Sequence, residues 1–501
     1  MAASDETSDY VWLGQNETAD RSLIGGKAHS INTMVALGLP VPPAFALTTS
    51  VCRRLTAAGG AIDDQCVVAL QDGMFRLECA TGRRLGDPHH PLLVSVRSGA
   101  AVSMPGMMDT VLNLGINDEA RIALSTETGD ETYASDTQRR FETQFARVVG
   151  HTAPYDPWEQ LLDAVSAVFK SWMSPRAVAY RQHHGLGDAG GTAVAIQAMV
   201  FGNLDDASGT GVLFTRNPLT GDSAPFGEWL QRGQGEDVVS GRFDANPLSA
   251  LEELLPDIHE QLMSAGRRLE ALHGDVLDIE FTVESGRLWL LQSRAAKRSP
   301  DAAVRLAVSM ESEGVITRDE ALLRVLPEQI AALLRPRVSP EERAKATILV
   351  RGEPACPGVG SGVVGLTCEE VEEMSDQGWD AVLARPTTDP DDVHGMIVSN
   401  AILTETGGAT CHAAVVSREL GTPCVVGCGV GSLSKLSGLL VTVDGSSGEV
   451  YEGVLTQAPC NEADLPDVAL LAEWARATVP EFSGLLPELF SRAHAALVSC
   501  S

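Results

Sequence analysis

The sequence predicts a mixed α/β protein of the multidomain α+β kind, and three observations lead to this fold class. The chain has 501 residues, which corresponds to about two to four domains of ordinary size. In the first part of the chain, helical periodicity alternates with short apolar runs that are bounded by glycine and proline. From about residue 346 the pattern changes to short strands and glycine turns. We therefore expect separate domains of different architecture.

The charge of the chain restricts its partners. Acidic residues outnumber basic residues by 67 to 37, which gives a net charge of −30. Such a chain repels nucleic acid and anionic membrane surfaces, so neither is an expected partner. If the protein binds phosphate groups, the site must be a local cluster of basic residues.

The sequence contains no segment that predicts export or membrane insertion. No apolar run approaches the ~18 residues that a membrane-spanning helix needs. The first ten residues, MAASDETSDY, are acidic and polar, unlike a signal or transit peptide. The ten cysteines are scattered without a CxxC pair, which favours reduced thiols over a zinc site or a disulfide framework. We expect a cytoplasmic protein.

The first predicted helix follows a glycine pair. Apolar residues recur at helical spacing from Ala28 to Val35, and Gly38 ends the pattern. Lys27 thus lies where a glycine turn enters a helix, a position from which an ammonium group can reach phosphate oxygens. Taken alone, the GGK pattern also fits an exposed surface lysine.

The second candidate residue follows a predicted strand. Residues 92–96 form an apolar run that predicts a buried strand, with Arg97 at its end. Residues 99–106 form a loop of small residues, over which a polyphosphate can pass closely. On these residues alone, Arg97 also fits a structural arginine at a turn.

The middle of the chain contains fewer residues with recognisable chemistry. A polar stretch with helical pieces extends to residue 190. Residues 191–203 then predict a strand of small and β-branched residues, and residues 208–222 predict a strand and a turn. Residues 227–241 contain a glycine-rich loop and Glu228, which the residues alone show only as an exposed carboxylate.

Residues 278–294 predict a β-hairpin, because two alternating runs surround a turn that contains glycine. We expect a three-residue loop at residues 284–286, with the glycine in the left-handed region. In that register Asp278 pairs with Gln292. The apolar face, which we expect to point to the core, then contains the following residues: Ile279, Phe281, Trp289 and Leu291.

The opposite face of this predicted hairpin is polar. It presents Asp278, Glu280, Gln292 and Arg294. Two carboxylates beside an amide and a guanidinium are typical of sites that hold magnesium against phosphates. The same pattern also fits a solvated strand face, and a two-residue loop would place the two polar pairs on opposite faces.

Short helices and then strands follow the hairpin. Residues 295–338 predict two or three helices, and the next residues predict an exposed connection. In the strand-rich region that follows, Arg385 lies at the end of a predicted strand and is a candidate phosphate neighbour. Arg418 is expected to face solvent.

The segment TETGGATCHAAVVSRELGTPCVVG, residues 404–427, contains the strongest candidate for chemistry. His412 follows a glycine pair and begins a short helix, which Gly421 and Pro423 end. A histidine in the first turn lies beside unpaired backbone N–H groups and the positive end of the helix dipole. Both favour an anionic group, so a phosphoryl group on the His412 imidazole would be stabilised there. The spacing alone also fits a helix cap or a solvated histidine.

The run GGATCHAAVVSRELGTPCVVG resembles the phosphohistidine signature of the pyruvate, phosphate dikinase and phosphoenolpyruvate synthase families. The segments around Lys27, Arg97, Glu228 and the hairpin resemble the same families and occur in the same order. The resemblance covers residues 20–456 approximately. It implies an ATP-grasp-like nucleotide-binding domain followed by a swivelling β/β/α phosphohistidine domain. The wording SGAAVSMPGMMDT is similar to the dikinase branch, whereas Cys411 before the histidine is more similar to the synthase branch.

The resemblance implies roles for individual residues, with ATP and inorganic phosphate as substrates and Mg²⁺ as the cofactor. His412 would carry the phosphoryl group, and Thr410 matches a position that a regulatory kinase modifies in some dikinases. A helix N-cap is an equally good interpretation of Thr410. The metal ligands would be Asp278 and Glu280. The residues expected to bind ATP are Lys27, Arg97, Glu228, Gln292 and Arg294.

The resemblance also implies the domain organisation. We expect the nucleotide-binding domain at residues 1–298, a helical linker at 299–345, the phosphohistidine domain at 346–456 and a helical tail at 457–501. Members of the family carry a C-terminal (β/α)8 barrel for pyruvate or phosphoenolpyruvate, and such a barrel needs about 250 residues. Only 45 residues follow residue 456, so we expect no barrel in this sequence.

Three functions remain compatible with the sequence. The first is a pyruvate, phosphate dikinase-type phosphotransferase whose pyruvate step needs a barrel on a separate chain. The second is an ATP-dependent phosphotransferase with another acceptor. The third is a catalytically idle regulatory or scaffold relative. The sequence leaves open the final acceptor and whether the protein forms a homo-oligomer.

Overall fold

The computed structural model describes residues 9–15, 19–102, 104, 107–183, 185–187, 190–239, 245–335, 337–408, 410–458 and 460–500. Three residues of the predicted small-residue loop, Ser103, Pro105 and Gly106, lie outside this part. The chain divides into two compact units. The first consists of Met1–Thr210, Gln231–Gln234 and Glu280–Arg294, and the second consists of Gly211–Leu230, Gly235–Ile279 and Ala295–Ser501.

The helices are numbered in chain order. They are α1 Arg21–Ala36, α2 Thr49–Ala57, α3 Asp64–Thr81, α4 Asp118–Thr128, α5 Glu131–Val149, α6 Pro157–Ser171, α7 Pro175–His183, α8 Gly235–Val239, α9 Leu248–Leu254, α10 Pro256–His273, α11 Pro300–Ser312, α12 Arg318–Arg324, α13 Pro327–Leu333, α14 Pro340–Arg343, α15 Cys368–Asp376, α16 Val393–Val398, α17 His412–Leu420, α18 Pro466–Thr478 and α19 Leu486–Cys500.

The strands are numbered in the same way. They are β1 Tyr10–Trp12, β2 Ala44–Leu47, β3 Val94–Gly99, β4 Thr110–Leu114, β5 Ala193–Ala198, β6 Gly209–Phe214, β7 Phe226–Gln231, β8 Asn246–Pro247, β9 Leu277–Glu284, β10 Arg287–Ala295, β11 Arg337–Val338, β12 Ile348–Arg351, β13 Glu353–Cys356, β14 Val359–Gly365, β15 Ala381–Arg385, β16 Ala401–Thr404, β17 Cys424–Val426, β18 Leu440–Asp444, β19 Glu449–Glu452 and β20 Gln457–Ala458. The chain is therefore a mixed α/β protein, as the sequence predicts.

The first unit contains a five-stranded antiparallel sheet of order β1-β2-β5-β3-β4. Its central strand β5 is buried along its whole length. The predicted strand at residues 92–96 is observed as β3, which extends to Gly99, so Arg97 lies inside the strand rather than after it. Arg97 is opposite Ala195 on β5 and opposite Thr110 on β4.

The predicted hairpin forms, but its loop has two residues instead of three. β9 ends at Glu284 and β10 begins at Arg287. Both loop residues have positive φ, 46° for Ser285 and 74° for Gly286, which is the geometry of a type I′ turn.

The two-residue loop reverses the predicted face of β10, because side chains alternate along a strand. Leu288 and Leu290 are buried at 1% and 0% exposure, whereas Trp289 and Leu291 are only partly buried. The prediction that Trp289 and Leu291 form the core side is therefore wrong. For β9 the prediction is confirmed, since Ile279 and Phe281 are fully buried.

The second unit contains a helical core. Buried residues of α11, α12, α13, α18 and α19 belong to one hydrophobic cluster. Leu306 and Met310 of α11 lie in this cluster together with Trp474 of α18 and Phe490 of α19. The helices after residue 456 thus pack with those that precede the strand-rich region.

An eight-stranded sheet forms the rest of the second unit, with the order β12-β19-β18-β14-β15-β16-β17-β13. The strands from β14 to β17 are parallel to their neighbours, and the outer pairs are antiparallel. Parallel strands end at the same edge of a sheet. The segments that follow β15 and β16 therefore emerge side by side, where Arg385 is opposite Thr404.

Two further predictions concern the chemistry of the whole chain. In the part of the chain that the structure describes, no helix is both long and apolar enough to cross a bilayer. Each cysteine with a described side chain is a free thiol.

Candidate functional site

The first candidate site begins at the glycine pair before Lys27. Gly25 has φ of 74° inside α1 and therefore interrupts the helix. A Cβ atom at Gly25 would lie 1.7 Å from the carbonyl oxygen of Gly99, so only glycine fits this crossing. Gly26 donates its N–H to the carbonyl oxygen of Ala100 at 2.8 Å. These contacts fix the start of the lysine-bearing helix against the end of β3.

Arg97 and Glu280 form an ion pair in this unit. The Nη2 atom of Arg97 is 3.2 Å from Oε2 of Glu280, and the two side chains are 14% and 26% exposed. A partly buried ion pair of this kind is a candidate anion site, because the guanidinium has five N–H donors and one ion pair does not use all of them.

Two more basic residues, Lys27 and Arg294, interact electrostatically with Glu280. The charges in this cluster shift the pKa values of Lys27 and Glu280. Burial lowers the pKa of Lys27 well below its usual range, the positive charge of Arg97 lowers it further, and Glu280 opposes this shift. Burial alone would raise the pKa of Glu280, but the charges of Arg97, Arg294 and Lys27 lower it. Three basic residues therefore surround one carboxylate. This is the local basic cluster that phosphate binding requires in such an acidic chain.

Gln292 and Arg294 lie on β10, two residues apart, and alternation places both on one face of the strand. Gln292 is 8% exposed. The same rule places Asp278 and Glu280 together on β9. The loop has two residues rather than the three on which the prediction of a single polar face was based. Arg294 nevertheless interacts electrostatically with Glu280.

Asp278 belongs to the second unit and is 5% exposed. Its charge acts on the buried guanidinium of Arg418. Among the residues that the structure describes, no three His, Cys, Asp or Glu side chains form a metal-binding cluster. A magnesium ion that bridges phosphate groups needs only one or two carboxylates. The predicted ligands Asp278 and Glu280 are compatible with this requirement.

The second candidate site is centred on His412, the first residue of α17. Its Nδ1 atom is 3.0 Å from the Thr388 hydroxyl. Its Nε2 atom is buried and makes no hydrogen bond with a described residue. Burial lowers the pKa of His412, while Asp389 and Asp392 oppose this shift. The imidazole is therefore held in its neutral form, with one nitrogen left for chemistry.

The neighbours of His412 come from the segment after β15. Arg385, the last residue of β15, places its Nε atom 3.2 Å from Oδ1 of Asp392. The same guanidinium donates to the carbonyl oxygen of Leu366 at 3.2 Å. The predicted position of Arg385 at a strand end is confirmed, and its partner Asp392 also acts on His412. A cation, a carboxylate and a neutral imidazole thus lie at one edge of the sheet.

Thr410 and Glu228 contact each other in the second unit. Thr410 is 3% exposed, and its hydroxyl donates a hydrogen bond to Oε2 of Glu228. Burial raises the pKa of Glu228, and the nearby Glu353 raises it further, whereas the Thr410 hydroxyl opposes the shift. Glu228 is therefore partly buried rather than exposed. In this conformation the Thr410 hydroxyl is covered, so a modifying enzyme could reach it only after the contact opens.

Arg418 differs from the sequence expectation. It was expected to face solvent, but it is 5% exposed and donates from Nη1 to the carbonyl oxygen of Ala355 at 3.2 Å. Helical spacing explains this position, because Ala414 and Arg418 are four residues apart and lie on the same buried face of α17. The arginine therefore contributes to the packing beneath the histidine-bearing helix.

Sequence reasoning missed three residues near His412, namely Thr388, Asp389 and Asp392. The signal for them was the parallel arrangement of β15 and β16, since polar segments after adjacent parallel strands meet at one edge. The run TTDPDD follows this apolar strand after Pro386. If β15 and β16 are paired in parallel, the TTDPDD run lies next to the segment that contains His412.

Two protein-family models match the chain. The model described as "Pyruvate phosphate dikinase, AMP/ATP-binding domain" matches residues 67–250. The model described as "PEP-utilising enzyme, mobile domain" matches residues 378–448. The first range contains Arg97 and Glu228, and the second contains Thr410 and His412.

Similar proteins occur in bacteria and plants. Pyruvate, phosphate dikinase of Rhizobium meliloti (strain 1021) is 38% identical over 93% of this chain and 59% of its own length. The protein of that name from Clostridium symbiosum is 37% identical over 86% of this chain and 56% of its own length. The chloroplastic pyruvate, phosphate dikinase 1 of Zea mays is 40% identical over 88% of this chain and 52% of its own length. The chain thus spans little more than half the length of these relatives.

Proposed function

Because the chain belongs to the pyruvate, phosphate dikinase family over the part that it shares with those enzymes, we propose that it is a phosphotransferase that uses ATP and inorganic phosphate. In this proposal His412 accepts a phosphoryl group, and AMP and diphosphate are released. The observation that carries the proposal is the buried neutral imidazole of His412, whose Nε2 atom has no hydrogen-bond partner among the described residues.

The nucleotide binds, in this proposal, at the basic cluster of the first unit. Lys27, Arg97 and Arg294 supply positive charge for the phosphate oxygens, since each already acts on the carboxylate of Glu280. A guanidinium in a partly dry site binds phosphate more strongly than one in water. Gln292 and Glu228 complete the proposed ATP-binding residues by family resemblance.

Asp278 and Glu280 are the proposed ligands of Mg²⁺, which neutralises phosphate charge when it is bound. Glu280 suits this role because its lowered pKa keeps the carboxylate ionised at neutral pH. Asp278 adds a second carboxylate on the same strand. Both residues would bind the cation together with the phosphate oxygens of the substrate.

The proposed reaction at His412 has two steps. The Nε2 lone pair attacks the β-phosphorus of ATP, and the bond between the β-phosphorus and the oxygen bridging to the α-phosphorus breaks, so AMP leaves. The terminal phosphoryl group then moves from the histidine-bound diphosphoryl group to inorganic phosphate, which gives diphosphate and phosphohistidine. The hydrogen bond between Thr388 and Nδ1 orients the ring. Burial of the site limits hydrolysis of the intermediate.

The final acceptor is proposed to be pyruvate, which becomes phosphoenolpyruvate. This step would use the barrel domain that the family resemblance implies. The regulatory role of Thr410 also stays a proposal, and its burial against Glu228 means that modification would require the two residues to separate.

Labelling with ATP tests the proposed function. The protein is incubated with Mg²⁺, inorganic phosphate and ATP labelled at the β-phosphate. We expect acid-labile label on the wild-type protein together with release of AMP, and no label on His412→Ala. His394→Ala is the matched control, because His394 is half-exposed on the same unit and pairs only distantly with Glu372 at 3.9 Å. This variant should be labelled normally.

The outcomes separate the possible functions. Release of the terminal phosphoryl group of ATP as inorganic phosphate, rather than as diphosphate, would assign its transfer to water. Equal label on wild type and His412→Ala would contradict the role of His412. A complete lack of label and of AMP release would exclude the enzyme and favour the regulatory or scaffold alternative.

A further inference from the structure

A cavity in the second unit has no role in the proposed reaction. It has a volume of about 240 Å³. Arg335 and Arg337, which follow α13, line one side. The turn between β13 and β14 and the turn between β18 and β19 also line the cavity. The cavity is large enough for a small organic anion.

Three arginines line this cavity, which we call the arginine cavity: Arg335, Arg337 and Arg343. Two carboxylates, Asp301 and Asp444, also line it. Such a concentration of guanidinium groups is unexpected in a chain with 67 acidic and 37 basic residues. This local cluster of positive charge favours anions, although the chain as a whole is acidic.

The carboxylates neutralise only part of this charge. Asp444 is 2% exposed, pairs with Arg343, and accepts backbone N–H groups of Ser446 at 3.0 Å and Ser447 at 3.3 Å. The carboxylate of Asp444 is therefore neutralised by Arg343 and hydrogen-bonded to the backbone of the β18–β19 turn. Asp301 lies 3.6 Å from Arg337, a long ion pair between half-exposed side chains.

Arg335 supplies the charge in excess. Its guanidinium forms no ion pair with a residue that the structure describes. The hydroxyl groups of Ser446 and Ser447 lie in the same lining and can donate hydrogen bonds. Leu333 and Val359 provide an apolar side. Positive charge, hydroxyl donors and a short apolar wall together suit a small phosphorylated molecule.

We propose that the arginine cavity binds a small phosphate-bearing anion at a site separate from the nucleotide-binding cluster. The planar guanidinium of Arg335 would bind phosphate oxygens in a fork, and Arg337 would share the charge. The ligand would join the segment after α13 to the β18–β19 turn, and so it would stabilise the second unit. The proposal is independent of phosphoryl transfer to His412.

Calorimetric titration with inorganic phosphate and with diphosphate tests this proposal. The full-length Arg97→Ala variant is used as the background, so that phosphate binding at the nucleotide cluster is weakened and is the same in all variants compared. We expect Arg335→Ala in this background to weaken binding by about tenfold or more, because a charged hydrogen-bonding fork is lost. Arg335→Lys keeps the charge but not the fork and should bind with intermediate affinity.

Arg351→Ala is the matched control. Arg351 is 69% exposed on β12, pairs with Glu449 at 3.1 Å, and does not line the cavity. It should leave the affinity unchanged although the charge of the chain changes equally. Equal affinity for Arg335→Ala and its parent, or no binding of either anion to the parent, would overturn the proposal. Since the titration contains no ATP and leaves His412 intact, such a result would not affect the labelling experiment.

Discussion

At the scale of single residues, the two nitrogens of His412 differ in a way that assigns their roles. Nδ1 faces the Thr388 hydroxyl at 3.0 Å, whereas Nε2 is buried without a hydrogen-bond partner in the described part of the chain. If Thr388 accepts the Nδ1 proton, the lone pair resides on Nε2. In that tautomer Nε2 can attack phosphorus. A buried lone pair is also spared competition from water.

The pH dependence of labelling follows from the surroundings of His412. Burial lowers the pKa of His412, so the neutral form persists below the ordinary histidine pKa of about 6.5. We expect labelling to decline only when the pH falls through this lowered value, because protonation removes the nucleophile. Asp389 raises the pKa. Asp389→Asn should therefore move the acid limb of the pH–rate profile to still lower pH.

Asp391→Asn provides the comparison for this profile. Asp391 is exposed and lies two residues after Asp389, but it is not among the groups that shift the pKa of His412. The asparagine at position 389 can still accept the backbone N–H of Asp391 that Asp389 accepts at 2.8 Å. An acid limb that moves equally in both variants, or toward higher pH in Asp389→Asn, would contradict this account of the site.

At the scale of elements, the crossing of α1 over the end of β3 determines where Lys27 lies. A methyl group at Gly25 would collide with the Gly99 carbonyl oxygen, and the backbone cannot retreat because Gly26 is bonded to Ala100. We expect Gly25→Ala to lower the free energy of unfolding by about 3 kcal/mol or more. Nucleotide binding should weaken as well. Thermal unfolding and ATP titration measure the two effects.

Gly38→Ala distinguishes the effect of the collision at Gly25 from the effect of backbone strain alone. Gly38 also has positive φ, 70°, but a Cβ atom there would meet nothing within 4 Å. Its substitution should cost only about 1 kcal/mol and leave ATP binding intact. Similar losses of stability and binding in both variants would show that the contact with Gly99 has no special importance.

The β9–β10 hairpin shows why local sequence was insufficient for the register. The pattern E-S-G-R allows a three-residue loop with only glycine in the left-handed region, which is the less strained choice for serine. In the structure Ser285 adopts φ of 46°, and the segment at residues 205–208 supports it. The Ser285 N–H donates to the Ser208 hydroxyl at 2.9 Å, and the Gly286 N–H donates to the Ala207 carbonyl at 3.0 Å. These tertiary contacts are invisible in sequence.

The candidate site was predictable to the extent that it depends on local patterns. The positions of Lys27 after a glycine turn and of His412 in a first helical turn follow from periodicity and stop signals, and both are observed. The burial of Arg418 and the contact between Thr388 and His412 depend on strand pairing and on packing. Such features need the three-dimensional arrangement, because partners distant in the chain supply them.

At the scale of the whole molecule, the distribution of charge matters more than its total. The net charge of −30 would disfavour any phosphate ligand. Yet three cations converge on Glu280 in the first unit, and three arginines line one cavity in the second. Local clusters of this kind concentrate binding at defined places, while the remaining acidic surface repels polyanions.

The proposed acceptor is tested by supplying the domain that the family resemblance assigns to pyruvate. Phosphohistidine is prepared on the wild-type chain with labelled ATP, and the nucleotide is removed. Pyruvate is then added alone or with a purified barrel of the kind that the family resemblance implies, taken from the part of the Rhizobium meliloti relative that this chain does not match. We expect labelled phosphoenolpyruvate only when both pyruvate and the barrel are present. The reason is that His412 supplies the phosphoryl group, whereas the family resemblance assigns pyruvate to the barrel.

The controls in this experiment distinguish the acceptors. A chain with His412→Ala should yield no product with the barrel, which excludes transfer by the barrel alone. Labelled phosphoenolpyruvate from pyruvate without the barrel would show that the second half-reaction needs no separate domain. If the label stays on the protein in the presence of both pyruvate and the barrel, pyruvate is contradicted as the acceptor. Phosphorylation of His412 would then be intact without transfer to pyruvate, which favours a phosphotransferase with a different substrate.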